Sequence, residues 1–289
     1  MNYRHHFHAG NFADVVKHVV LVQLLHALQT KEKGFLYLDT HAGRGKYDLL
    51  DATTGDSRAR TPEWPDGIGR IWTKPGLTSP SAEYASLVRQ FDHDHGNRAS
   101  TPRFLPGSPW LARLVARPQD RLALCEKHPE EFAGLQEEFV FSPRTSVHLM
   151  DGYQALKAML PPLERRALVL IDPSYEEREE FSRIILAVRE AVGRLPGGTF
   201  VIWYPVTERA RTDDFFREFT AMPMPPTLVA ELTVGGEQSG IRMRGSGLVI
   251  INPPWKFENR IEPTLGELHQ VLAQAPGADY RLQWLFPEK

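Results

Sequence analysis

The chain has 289 residues, 42% of them hydrophobic and 24% charged, the balance of an ordinary globular protein. A net charge of −2 offers no broadly basic surface, so contact with nucleic acid would have to come from a local groove. One cysteine excludes a disulfide framework and suits a reducing, cytoplasmic setting. No unbroken apolar run approaches the roughly 20 residues of a membrane span, and the start of the chain lacks the basic-then-apolar form of a signal peptide.

The chain opens on Tyr3, Arg4, His5, His6, Phe7 and His8. Three histidines hint at a metal, but no Cys or Asp cluster accompanies them, so no metal is expected. An aromatic and basic segment suits RNA contact, and a packed tail is the plain alternative. Phe12, Val15, Val16, Val19, Val20, Leu24, Leu25 and Leu28 then follow i, i+3, i+4 spacing, which predicts a helix with one buried stripe. Seven strands are expected in order: 35–39, 121–126, 146–150, 167–171, 199–204, 227–234 and 247–251. Helical patterns fall between most of them, including one from Arg183 to Val192. That alternation predicts a parallel sheet covered on both faces. Only Gly235–Ser246 separates the last two strands, too little for a helical crossover, so these two should form an antiparallel hairpin.

Five parallel strands followed by a terminal antiparallel hairpin make the seven-stranded sheet of a class I, Rossmann-like α/β methyltransferase. One segment departs from it. About 80 residues separate the first two strands, where a βαβ unit takes about 30 in all. Residues 48–105, rich in Pro, Gly, Thr and Asp with one helical stretch near 82–91, read as an inserted small helical subdomain. The main domain is then 1–47 with 106–289. It resumes at Pro106-Gly107-Ser108-Pro109, where serine is expected to cap a helix and proline to take its first position.

Chemistry concentrates at the strand ends. Residues 35–45 read FLYLDTHAGRG: an acidic residue closes the strand, and Gly43 and Gly45 let the backbone turn tightly against a ligand. The spacing is not that of the GxGxxG dinucleotide fingerprint, which disfavours a nicotinamide enzyme. Glu126 closes the second strand, where a carboxylate accepts from ribose hydroxyls in doubly wound folds; a solvated strand end is the bland reading. Asp151-Gly152 after the third strand can accept from an adenine amino group.

The fourth strand ends in Asp172-Pro173-Ser174-Tyr175, one letter from the Asp-Pro-Pro-Tyr of enzymes that methylate exocyclic amines with S-adenosylmethionine. An aromatic amine is a poor nucleophile because its lone pair is delocalised. A carboxylate and a carbonyl accepting both N–H groups localise that pair, so attack on a sulfonium methyl then needs mainly alignment. Tyr175 can stack on the base. No metal is required. The structural alternative is a strand-ending Asp-Pro turn. Asn252-Pro253-Pro254-Trp255 copies the wider pattern with both prolines, but it follows the antiparallel seventh strand and so belongs at the opposite edge, as a structural turn. The hairpin loop should carry Arg242 and Arg244 to the active edge as phosphate contacts, with Arg209 and Arg211 similar; a solvated loop is the alternative.

Together YRHHFHAGNFADVVKH, FLYLDTHAGRG, PGSP, Glu126-Lys-His-Pro, MDGYQALKAMLPP, IDPSY, WYPV and INPPWK resemble the bacterial 23S ribosomal RNA adenine-N6 methyltransferases of the large-subunit methyltransferase J family. The similarity runs from Tyr3 to about Trp284. It implies S-adenosyl-L-methionine as methyl donor, S-adenosyl-L-homocysteine as product, and 23S rRNA as partner, free or in an early assembly particle. It also implies cofactor contacts at His18, His41, Ser108, Glu126, Asp151, Gly152 and Asp172, with Lys17 beside them. Asp172, with Pro173 and Tyr175, takes the catalytic position, and Tyr3, with Arg4 and His5, the RNA-contacting N-terminus. A cytoplasmic monomer without a membrane partner is expected. Ser174 departs from the family's proline and loosens the lip. The alternatives are a DNA adenine-N6 methyltransferase, disfavoured by the lack of an added target-recognition domain, and a ribosome-associated S-adenosylmethionine-binding protein impaired at Ser174.

Overall fold

One apolar helix organises the molecule. In a computed structural model, which describes residues 8–51, 61–177 and 179–288, α1 (Phe12–Gln29) is enclosed by protein. Val15, Val16, Val19, Val20, Leu24 and Leu25 are buried, but so are Asp14, Lys17, His18 and Gln23. The single stripe expected from spacing is therefore too narrow a description. By length and composition α1 could cross a membrane, with a mean hydropathy of 1.2 over 18 residues, a property that no unbroken apolar run in the sequence announces. Here it is a core helix, started by Asn11, whose side chain accepts from the Asp14 amide.

The main sheet has eight strands, not seven. In chain order they are β1 (Leu36–Asp39), β4 (Arg121–Glu126), β5 (Thr145–Leu149), β6 (Ala167–Ile171), β7 (Thr199–Val206), β8 (Thr227–Thr233), β9 (Gly245–Ile251) and β10 (Asp279–Phe286). Between β1 and β4, β2 (Lys46–Asp48) and β3 (Phe104–Pro106) form a separate short ribbon. The order is β10-β8-β9-β7-β6-β1-β4-β5. The neighbours from β7 to β5 run parallel, whereas β9 is antiparallel to both β7 and β8. The hairpin is thus present, but folded back so that its second strand lies inside.

Strand β10 has no long apolar run to announce it; it reads DYRLQWLF and is paired antiparallel to β8. Its Arg281 stands opposite Glu231 of β8 in register and donates to that carboxylate at 3.1 Å. Glu231 is buried and also accepts from Tyr204 at 2.7 Å and from Arg209 at 2.8 Å. A carboxylate inside a sheet is tolerated because these donors replace its lost water.

Helices cover both faces. With α1 on one side lie α4 (Ser108–Val115), α5 (Pro129–Phe139) and α9 (Phe257–Leu272); α6 (Gly152–Met159), α7 (Glu180–Arg194) and α8 (Arg209–Thr220) cover the other. The segment between β2 and β3 holds α2 (Ile68–Trp72) and α3 (Ser79–Asp94), both packed near α1. It reaches the start of α1 directly. Ile68 donates its amide to the Gly10 carbonyl at 2.8 Å, and Gly67 lies so close that a Cβ would meet that oxygen at 2.1 Å. At α4 the expected cap shifts by one: Gly107 is the N-cap, Ser108 is helical, and its hydroxyl donates to Asp39 instead.

Asn252 follows β9 at the edge opposite the end of β6, because the two strands run in opposite senses. Its side-chain amide donates to the Pro196 and Gly198 carbonyls at 2.8 and 2.9 Å, and its φ is +49°. It is a structural turn.

Removing the Glu231 carboxylate strands two guanidiniums beside a buried tyrosine. Glu231→Ala should destabilise the protein by about 3 kcal/mol in urea unfolding; an unchanged midpoint would show that the cluster does not hold β10.

Candidate active site

The carboxyl ends of β1, β4 and β6 open into a cleft of about 520 Å3, lined among others by Lys17, His41, Gly43, Ser108, Glu126 and Asp172. A second cavity of about 510 Å3 lies alongside, with Tyr175, Phe181, Trp203, Arg211 and Arg242 in its wall. Lys17, Asp172 and Ser174 line both. Each cavity has the size of a small-molecule or nucleoside site, and the two meet at the strand end that carries the amino-methylase-like lip.

The first cleft is built by polar groups with fixed roles. Glu126 accepts the Gly43 amide on one carboxylate oxygen at 2.9 Å and the His128 amide on the other at 2.8 Å, leaving further lone pairs for a ligand. Gly43 has φ +59°, a conformation that favours glycine, and the turn delivers its N–H to Glu126. Asp39 is fully buried and accepts from Tyr37 at 2.8 Å and Ser108 at 2.7 Å. Burial pushes its carboxyl up to about 6, against the pull of those hydrogen bonds. Asp39 and Ser108 thus brace the floor through each other.

Thr40 has one hydroxyl proton and gives it to the Leu170 carbonyl at 2.9 Å. The His41 Nδ1, 2.8 Å from the Thr40 hydroxyl oxygen, must then carry the hydrogen, which leaves Nε2 as an acceptor. Burial, with the positive charges of Lys127 and Arg183, pushes the imidazole down to about 3, so His41 is neutral. Asp151 caps α6, accepting from the Tyr153 and Gln154 amides at 2.9 and 3.2 Å, and lies 3.7 Å from Arg183. Gly152 presses on Thr40, where a Cβ would meet the carbonyl oxygen at 2.2 Å. These two residues support the cleft from behind His41 rather than lining it. His18 is buried and lines the cleft from α1, 3.4 Å from the Tyr84 hydroxyl.

At the junction Lys17 donates to Asp14 at 2.8 Å and to Asp172 at 2.6 Å. Burial opposes its charge, but the two carboxylates outweigh that and hold its pKa well above the ordinary range. Lys17 is therefore a fixed cation. It engages only Oδ2 of Asp172; among the described residues no hydrogen bond reaches Oδ1. Its ammonium also stands 5.9 Å from the centre of the Trp203 ring, within cation–π range.

Tyr175 adopts φ +54°, a costly conformation for a bulky residue, and is held there by contacts. Its hydroxyl donates to the Trp203 carbonyl, and its ring packs 4.9 Å from Phe181 and 5.6 Å from Trp203. These restraints hold the lip without a second proline.

Of the hairpin arginines, Arg242 lines the second cavity but Arg244 does not. Arg244 is turned inward, donating to the Thr207 carbonyl at 3.2 Å and to Glu237 at 3.3 Å. Arg209 is bound to Glu231, whereas Arg211 lines the cavity. Tyr3, Arg4 and His5 lie outside the described residues. Sequence reading overlooked Asp14, Trp203 and Glu180. Asp14 carried a signal, its i, i+3 spacing to Lys17. Glu180, which lines the first cleft and accepts from the Tyr153 hydroxyl, carried none.

Residues 32–286 match the family model described as "Ribosomal RNA large subunit methyltransferase D, RlmJ". The chain is 40% identical over 289 residues to "Ribosomal RNA large subunit methyltransferase J" of Escherichia coli (strain K12), covering 100% of both chains. It is 38% identical to the protein of the same name from Haemophilus influenzae, again covering 100% of both. Its fold matches a crystal structure of protein LPL1258 from Legionella pneumophila, with a TM-score of 0.84 and 38% identity, covering 96% of this chain and 98% of that one.

Asp39 and His41 act oppositely on stability. Asp39 has a raised folded pKa, so its contribution is full below its unfolded value of 3.8 and is lost as pH rises through about 6. His41 has a lowered one, so its contribution is full above 6.5 and is lost as pH falls toward about 3. Urea titrations should show Asp39→Asn gaining on the wild type as pH rises from 4 to 6. His41→Gln should gain on it as pH falls below 6.5. Parallel curves would contradict both assignments.

Proposed function

Because this chain belongs to the ribosomal RNA large-subunit methyltransferase family, we propose that it methylates the exocyclic N6 amine of one adenine in 23S ribosomal RNA. The observation that carries this reading is the meeting of two nucleoside-sized cavities at Asp172. One suits a methyl donor and the other a target base.

The first cleft fits S-adenosylmethionine. Glu126 has lone pairs for two ribose hydroxyls, and His41 offers a neutral acceptor. Lys17 and His18 line the cleft with donors suited to the amino-acid end, and the Ser108 hydroxyl, whose proton goes to Asp39, offers an acceptor there. Asp151 and Gly152 back the adenine end. When bound, S-adenosylmethionine supplies an electrophilic methyl group on a positively charged sulfur.

The residues of the chain then act on the amine. Asp172 accepts one N–H through Oδ1, the oxygen that Lys17 leaves open. The Pro173 carbonyl accepts the other, and the nitrogen lone pair is freed from the ring. The new C–N bond replaces the methyl group's bond to sulfur, leaving S-adenosylhomocysteine as a neutral thioether; the positive charge that grows on nitrogen is stabilised by the carboxylate until the extra proton passes to water. Lys17 fixes the orientation of Asp172, and its raised pKa keeps it from serving as the base. Tyr175, Phe181 and Trp203 supply an aromatic wall for a base taken out of its stack. The inserted segment 48–105 supports this arrangement at one remove, because Glu63 accepts from Asn11, the cap of α1. We place the enzyme in the cytoplasm, acting as a monomer.

Purified protein, S-adenosylmethionine and unmodified 23S RNA should yield N6-methyladenine at one site; its absence by mass mapping would end this reading. Asp172→Asn should lower kcat by about 10²–10³-fold, with Lys17→Met lowering it in the same direction. Ser174→Pro should leave kcat within about twofold, because Tyr175 is already held by Trp203 and Phe181. A large gain would mean that the lip is loose.

A further inference from the structure

The second cavity holds two guanidiniums that the fold does not use. Arg211 sits in the first turn of α8 and Arg242 in the loop between β8 and β9, and both line the cavity beside Trp203 and Phe181. Both are exposed. Among the described residues neither has a carboxylate partner; Arg211 has only a ring contact, 5.9 Å from the centre of Phe181. Their sequence neighbours behave otherwise. Arg209 is bound by Glu231 and Arg244 by Glu237.

Arg244 also ties the two elements together. Its backbone amide donates to the Val206 carbonyl at 2.9 Å, and its side chain, 11% exposed, donates to the Thr207 carbonyl at 3.2 Å. Those acceptors lie just before α8, and Arg244 lies two residues after Arg242. The loop carrying Arg242 is therefore stapled to the segment that starts the helix carrying Arg211.

We propose that Arg211 and Arg242 form a phosphate clamp on the RNA strand flanking the target adenine, with Arg244 as the positioning residue that sets their separation. This rests on the adenine-methylating reading of the same site. Phosphodiester oxygens suit the pair for three reasons. Guanidinium forks match them geometrically. Exposure at the cavity mouth lets a backbone remain outside while the base enters. The ammonium in the same wall, Lys17, is already paired with Asp14 and Asp172, which leaves the two arginines as the seat for an anion. Phosphate contacts fix register without reading sequence, so the clamp sets where the strand lies rather than which base is chosen.

The test uses full-length protein and a 23S RNA fragment containing the target. Binding is measured by fluorescence anisotropy across a salt series, and turnover separately. Arg211→Gln and Arg242→Gln should each weaken RNA binding roughly tenfold at low salt and lower the salt slope by about 0.7. KM for RNA should rise, kcat at saturating RNA should stay near wild type, and S-adenosylmethionine binding should be unchanged. Arg260→Gln, which removes an exposed arginine outside both cavities, should change none of these. Arg244→Gln should raise KM like the clamp variants, and Arg244→Lys should restore it in part, provided thermal unfolding shows both folded. A neutral methylphosphonate linkage beside the target adenine should copy the loss, and the arginine variants should lose little more on that RNA. Unchanged salt slopes and KM values in both clamp variants would overturn the proposal. So would losses fully additive with the methylphosphonate. Wild-type protein that binds RNA but never methylates it would instead overturn the functional reading, while the binding series still decides the clamp.

Discussion

A buried lysine held between two carboxylates is the constraint from which the rest of the site follows. Lys17 lies on the central helix, only 5% exposed, and such a charge persists only when paired on more than one side. Asp14 comes from the same helix one turn earlier; Asp172 comes from the far end of β6. The ion pair therefore ties the helix to the sheet at the point where the two cavities join. It also orients the Asp172 carboxylate, because a cation on Oδ2 leaves Oδ1 as the open acceptor.

Several features of the fold serve that contact. The start of α1 must be fixed, and Asn11 does so with its side chain on the Asp14 amide and on Glu63 of the segment between β2 and β3. The Gly10 amide donates to the other oxygen of Asp14 at 2.9 Å, so the carboxylate facing Lys17 is itself held. The segment between β2 and β3 thus reaches the site indirectly, through the cap of one helix. Beneath the first cleft, Asp39, Tyr37 and Ser108 form a second buried polar group. It joins β1 to α4 and keeps the floor rigid without presenting a charge to solvent.

The aromatic wall shows how one departure from a motif is absorbed. Proline after Pro173 would stiffen the lip by fixing φ. Ser174 gives up that restraint, but the next residue is clamped by a hydrogen bond to a β7 carbonyl and by two aromatic contacts. Restraint has moved from covalent geometry to packing, and the left-handed backbone of Tyr175 is retained.

Much was legible in the sequence because it rests on local patterns. Apolar runs ending in Asp39, Glu126 and Asp172 marked strands and their active edge, and the short Gly235–Ser246 link marked the antiparallel hairpin. Strand direction alone set aside Asn252, the better-looking copy of the lip. What only the tertiary structure decided depends on partners distant in the chain. Strand β10 was hidden because its polar residues are stabilised by Glu231, about 50 positions away. Arg242 and Arg244, two residues apart and alike as sequence, part company because one meets Glu237 and the Thr207 carbonyl while the other faces a cavity. The ends of the strands are written in local periodicity. Which charges they hold free, and which they lock away, is set by burial and by the groups that the fold brings beside them.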